Sequence, residues 1–199
     1  IDELRNLTKV IISKNKSALF QMDAISLLNT ETDSSISLIK EGIKKGIEIW
    51  IAEPGLLTLV DNDAFIVAKK IINDRLEIGD EKEFPLEYFD FYFIRQDPPF
   101  DLNYVSNCYL LEIHKKFHKK PLFINDPSGI KDFTEKIFPL YFKKFMPSTM
   151  ITGNFTSFKS MLLKFKKVIL KPLYFKGGEG ILKVDENDNF CKEEFDKLV

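Results

Sequence analysis

Ile169-Leu170-Lys171-Pro172-Leu173-Tyr174-Phe175-Lys176-Gly177-Gly178-Glu179-Gly180-Ile181-Leu182 is an apolar run carrying one lysine, then a loop with three glycines in four positions, then the start of a second apolar run that continues to Val184. The pattern is strand, glycine loop, strand. Glycine lacks a Cβ, so its backbone can take positive φ and approach a ligand closely, and successive N–H groups can line one concavity that suits an anion. Lys171 and Lys176 add positive charge on either side, which makes a polyphosphate the expected ligand. No Gly-Lys-Ser/Thr follows, and the chain leaves into a strand rather than a helix, which excludes a Walker loop and a Rossmann fingerprint. On pattern alone, a plain hairpin that uses glycine to turn stays open.

Outside this stretch, composition narrows the choices. The chain has 199 residues, 44% hydrophobic with 19 phenylalanines, which suits one good core or two small ones and argues against disorder. Its 29 basic and 30 acidic residues nearly cancel, so no global field draws in nucleic acid or acidic lipid. Lysine and phenylalanine cluster at Lys115–Lys120, Tyr141–Phe145 and Lys164–Lys167. These runs read as solvated helix ends, where cations complement the dipole, with RNA binding as the competing reading. Cys108 and Cys191 lie far apart without metal-ligand spacing, so neither a disulfide scaffold nor a zinc site is expected. No apolar run is long enough to span a bilayer, and the setting expected is reducing and cytoplasmic. The chain begins at isoleucine and stops inside Glu193-Glu194-Phe195-Asp196-Lys197-Leu198-Val199, a helix just under way, so both ends read as cut.

The N-terminal part begins with Leu4, Leu7 and Val10-Ile11-Ile12 at roughly helical spacing, residues with no functional reading. A strand at Ala18–Met22, a helix opened by Asp33-Ser34-Ser35 with Ile36, Ile39 and Ile43 on one face, and a strand at Ile47–Ala52 make a βαβ unit, which favours parallel pairing. Two short β-like pieces flank Asp61-Asn62-Asp63, which has the composition of a hairpin turn. Phe89–Ile94 is apolar enough for a buried strand. It ends in Arg95-Gln96-Asp97-Pro98-Pro99-Phe100-Asp101, a loop stiffened by two prolines at the carboxyl end of a strand, where ligands bind in open α/β sheets. Arg95 can grip a carboxylate with two hydrogen bonds and Asp97 can hold it or meet an amino group. A surface pair between the two is the bland alternative.

A helix over Leu102–Lys119 follows, with Val105, Cys108, Leu110 and Leu111 inward. His114 and His118 lie one turn apart on it, a metal-compatible spacing, but no third ligand is near and an exposed pair is expected. After a strand at Pro121–Asn125 the pattern restarts with an aromatic helix at Ile137–Phe145, in which Pro139 demands either a start near Ile137 or a kink. A short strand at Thr149–Thr152 and a helix capped by Asn154 then lead to the glycine loop.

Four segments in this order resemble the prokaryotic glutathione synthetases of the ATP-grasp superfamily. They are Gln21-Met22-Asp23 with Asp33-Ser34-Ser35; Ile94 to Asp101; Asn125-Asp126-Pro127 with Glu135-Lys136-Ile137-Phe138; and Ile169-Leu170-Lys171-Pro172 with its glycine loop. Met146-Pro147-Ser148-Thr149 resembles the family's Met-Pro-Pro-Thr. The resemblance implies an α/β chain: residues 1–16 an extension of unknown role, 17–125 a parallel-sheet, Rossmann-like pre-ATP-grasp substrate domain, and 126–199 the first part of an α+β ATP-grasp domain whose C-terminal part is absent. It implies a cytoplasmic ligase that joins γ-glutamylcysteine to glycine through an acyl phosphate, using ATP and Mg2+, without nucleic-acid or membrane partners, and a homo-oligomer when full length.

Carried over residue by residue, Lys136 and Lys171 contact the ATP phosphates and Gly177, Gly178 and Gly180 belong to the loop that closes over them. Arg95, Asp97 and Ser34 face the peptide, with Arg95 and Lys171 as the catalytic residues, and the Mg2+ ligands are expected beyond Val199. The chain departs from the family at Phe175 and Lys176, where a further glycine and an asparagine or methionine are usual. The chain as it stands is then an incomplete catalyst, and a non-catalytic substrate- or nucleotide-binding module derived from such a ligase is the alternative.

Overall fold

The computed structural model describes residues 16–175 and 177–198, so the helical spacing at Leu4 to Ile12 and the charge of Lys176 lie outside the described residues. Two compact units result, one from the residues up to Asp97 with Val105–Gly129, the other from Pro98–Tyr104 with the residues from Ile130 onward.

In the first unit, β1 (Ser17–Gln21), α1 (Ser34–Lys44) and β2 (Glu48–Ala52) form the expected βαβ, with β1 and β2 parallel. The helix starts where it does because the Asp33 carboxylate accepts from the Ser35 and Ile36 N–H groups at 2.7 and 3.0 Å, satisfying donors that a helix start leaves unpaired. It ends at Gly46, whose φ of 74° lies in the left-handed region. Ile36 and Ile39 pack on Ala18, Phe20, Met22, Ile49 and Ile51. Burying one such isoleucine stabilises the fold by about 2 kcal/mol.

β3 (Leu57–Val60) and β4 (Asp63–Ile71) form a hairpin in which Val60 pairs with Asp63, and the turn carries Asp61 at φ 52°. β5 (Ile78–Pro85) runs antiparallel along β4. Its mostly exposed side chains show no apolar alternation, as befits an edge strand, so the sequence does not announce it. β6 (Phe91–Ile94), α2 (Leu102–Phe117) and β7 (Leu122–Ile124) complete the unit, with β6 parallel to both β1 and β7. The parallel order β7-β6-β1-β2 is therefore extended by antiparallel β4, which pairs with β2, β3 and β5. The sheet is mixed rather than parallel throughout.

After α3 (Pro127–Asp132), the second unit carries the expected aromatic helix as a 3-10 segment at Phe138–Phe145. Pro139 lies in its first turn and Phe142 (φ −109°, ψ 37°) kinks it, so both sequence alternatives for this proline hold. Thr149–Thr152 is not a strand. α4 (Phe155–Phe165), capped by the Asn154 side chain on the Ser157 N–H, precedes the antiparallel pair β8 (Lys167–Leu170) and β9 (Leu182–Asp185), and α5 (Lys192–Asp196) follows. Phe158, Leu162, Val184 and Phe195 form its core, joined by Phe155, Val168, Leu170 and Phe190. Among the described residues no helix is long and apolar enough to cross a membrane.

Candidate functional site

In the first unit the polar groups gather at the carboxyl ends of β1 and β6. The Arg95 N–H donates to the Gln21 carbonyl at 2.8 Å, extending the ladder one residue past β6 and fixing where the side chain starts. Its Nε donates to Ser35 Oγ at 2.9 Å and its terminal nitrogen to Ser34 Oγ at 2.6 Å. Both serines lie in the first turn of α1, where the helix dipole already favours negative charge. An arginine in that position does not stabilise the helix; it adds to a local positive potential that suits a carboxylate. The Asp97 N–H donates to Asp23 Oδ2 at 2.9 Å, tying the proline-stiffened loop to the end of β1.

Below this surface lies a buried network absent from the sequence reading. Tyr92 donates its hydroxyl to Gln21 Oε1 at 2.7 Å, and Gln21 Nε2 donates to Gln96 Oε1 at 2.9 Å. Gln21 and Tyr92 are fully buried, and burial pushes the Tyr92 phenol well above its ordinary range, so it stays a donor. The phenol thereby orients the Gln21 amide, which in turn holds the residue after Arg95. The signal was available: a glutamine in an apolar strand needs partners. A cleft of about 280 Å³, lined by Met22, Asp23, Ile25, Ile51, Glu53 and Lys69 among others, opens at the ends of β1 and β2.

In the second unit, Lys136 and the glycine loop meet. The Lys136 ammonium donates to the Phe175 carbonyl at 2.7 Å and reaches that of Leu173 at 3.4 Å. Lys171 is exposed directly after β8, at the start of the same loop. Gly177, Gly178 and Gly180 take φ values of 62°, 83° and 68°, a backbone that side chains rarely adopt. Gly180 is doubly required, since a Cβ there would lie 2.7 Å from Pro172 Cγ.

The histidine pair differs from the expected exposed one. His114 is buried, its Nδ1 accepts from the Ala64 N–H at 3.3 Å and its Nε2 lies 2.9 Å from the Lys120 carbonyl, so both nitrogens are engaged. His118 stacks on it at 4.3 Å and faces Asp63 and Glu87. Among the described residues no group of three or more His, Cys, Asp or Glu could hold a metal, so these side chains do not fit a Mg2+ site.

Comparison with known proteins places these features in context. The family model of the prokaryotic glutathione synthetase N-terminal domain matches residues 17–131, and that of the prokaryotic glutathione synthetase ATP-grasp domain matches residues 135–198. The glutathione synthetase of Anaplasma centrale is 35% identical over 167 residues, 83% of this chain and 52% of that protein. That of Brucella melitensis biotype 1 is 34% identical over 173 residues, covering 84% and 54% respectively. That of Escherichia coli strain K12 is 32% identical over 172 residues, again 84% and 54%. The chain spans about half the length of the curated relatives it matches.

Proposed function

Because the chain belongs to the prokaryotic glutathione synthetase family, we propose that it serves the ATP-dependent ligation of γ-glutamylcysteine to glycine. A carboxylate oxygen of the dipeptide attacks the γ-phosphorus of ATP and ADP leaves. The glycine amine then attacks the acyl carbon, phosphate leaves with the bonding electrons, and the nitrogen loses a proton. Residues 17–125 act on the peptide, with Arg95, Asp97 and Ser34 facing it, and residues 126–199 act on the nucleotide. Lys136 and Lys171 meet the negative charge on the phosphates, beneath the loop of Gly177, Gly178 and Gly180. Fixed cations and N–H groups of this kind need no reorganisation as charge shifts between oxygens.

The observation that carries the reading is the Lys136 ammonium lying 2.7 Å from the carbonyl of Phe175 in the glycine loop. Lys136 and the glycine loop, far apart in sequence, thus meet in one place, which supports a shared role at the phosphates. Mg2+ belongs to the reading as the charge partner of the phosphates, but no described side chains fit it and no step runs through it. A cytoplasmic homo-oligomer is part of the same reading, and light scattering on the purified protein measures the oligomeric part.

The test is phosphate release from ATP by the full-length gene product. Release that requires γ-glutamylcysteine and glycine together is expected. Release that proceeds with D-alanine instead of this pair assigns a different ligase and overturns the proposal.

A further inference from the structure

We propose that Phe100 and Tyr174 form an aromatic clasp that holds the leading arm of the glycine loop to the segment directly following Arg95 and Asp97, making both rings positioning residues for the loop. The ring centroids are 6.4 Å apart with planes 24° from parallel, and the Phe100 N–H donates to the Tyr174 carbonyl at 3.5 Å. Phe100 is itself held, since Tyr104 packs on it at 4.9 Å and the Tyr104 N–H is fixed to Asp101 Oδ1 at 2.9 Å. On the loop side, Lys136 holds the carbonyls of Leu173 and Phe175, the residues flanking Tyr174. The leading arm is therefore gripped at three successive residues. Beyond it no described atom lies within 4 Å of a Cβ placed on Gly177. The loop divides into an anchored arm and a bare tip.

Burial does not account for Tyr174, which stays 47% exposed. What its ring touches is more informative: Phe100 lies three residues from Asp97, across two prolines that keep the intervening backbone stiff. A stiff segment passes a displacement at one end to the other. A dipeptide whose carboxylate is gripped by Arg95 and whose amino group meets Asp97 then biases the setting of Phe100, and through Tyr174 that of the glycine loop. This coupling rests on the proposed peptide role of Arg95; the clasp itself does not.

Hydrogen exchange read by mass spectrometry tests both on the native chain, with Y174A and Y174F. In Y174A the amides of residues 172–181 exchange about two- to tenfold faster, the shift that loss of one aromatic pair produces, while those of Ile49–Ala52 do not change and Y174F behaves as the native chain. Unchanged exchange at 172–181 in Y174A overturns the clasp. Added γ-glutamylcysteine slows exchange at 172–181 in the native chain and Y174F but not in Y174A. Equal protection in Y174A overturns the coupling. A dipeptide that protects no segment of the native chain overturns the substrate reading and the coupling with it, while the clasp is still decided by the first comparison.

Discussion

The ammonium of Lys136 donates to the carbonyl oxygen of Phe175 at 2.7 Å, so a cation from the start of the second unit fixes the leading arm of a loop that follows it by some forty residues. Nucleotide phosphates would have to share or take over this ammonium. K136M keeps the aliphatic stem and removes the charge. In the full-length protein, under the proposed function, it is expected to lower kcat/KM for ATP by about 10²–10³-fold, as does K171M, the range seen when one charge-stabilising donor is removed from an active site. Normal ATP use in both variants would leave the phosphate assignment unsupported.

The glycines of the loop differ in what they require. G177A meets only the backbone penalty of a left-handed φ, about 1 kcal/mol. G180A meets that penalty and Pro172 Cγ at 2.7 Å, which brings its cost to about 3 kcal/mol. Urea unfolding of the two variants checks the order, and equal losses would contradict the close approach to Pro172.

Arg95 presents a fork to Ser34 and Ser35 that lysine cannot reproduce. R95K is expected to raise the KM for γ-glutamylcysteine about tenfold or more, while the KM for ATP stays within about twofold, since a charged hydrogen bond is lost on one side of the reaction alone. An unchanged KM for γ-glutamylcysteine would place Arg95 elsewhere.

Asp90 contributes to the acid limb of stability in the first unit. Lys120 donates to Asp90 Oδ1 at 2.7 Å and the Ser17 N–H to Oδ2 at 3.0 Å; the Lys120 hydrogen bond foremost lowers the Asp90 carboxyl to about 2. The folded state binds the proton less readily than the unfolded one, so this stability is complete above about pH 4 and is lost as pH falls toward about 2. D90N is expected to unfold at lower urea at pH 7 and to lack that part of the acid slope.

His114 works at milder pH. Burial holds its imidazole below the ordinary value, so the unfolded chain takes up a proton near pH 6.5 that the folded chain resists, and stability declines as pH drops through that value. H114Q loses about 1–3 kcal/mol at pH 8, the cost of leaving the Ala64 N–H or the Lys120 carbonyl unsatisfied, and flattens the slope of unfolding midpoint against pH between 7 and 5. An unaltered slope would show that other groups control this window.

Local chemistry in the sequence determined much of this protein. The Asp33 cap, the left-handed Gly46, the Asp61 turn and the strand–glycine–strand pattern each follow from residues next to one another, because capping and turn preferences act over a few bonds. Tertiary structure alone decided the rest. β5 exists because β4 offers it a row of backbone groups, a partner that its own exposed side chains do not announce. His114 is buried because α2 brings it against Ala64, although lysines surround it in sequence. The meetings of Lys136 with Phe175 and of Arg95 with Ser34 join residues tens of positions apart. No spacing rule reaches across such intervals; only the closing of the chain on its own cores brings them within hydrogen-bond distance.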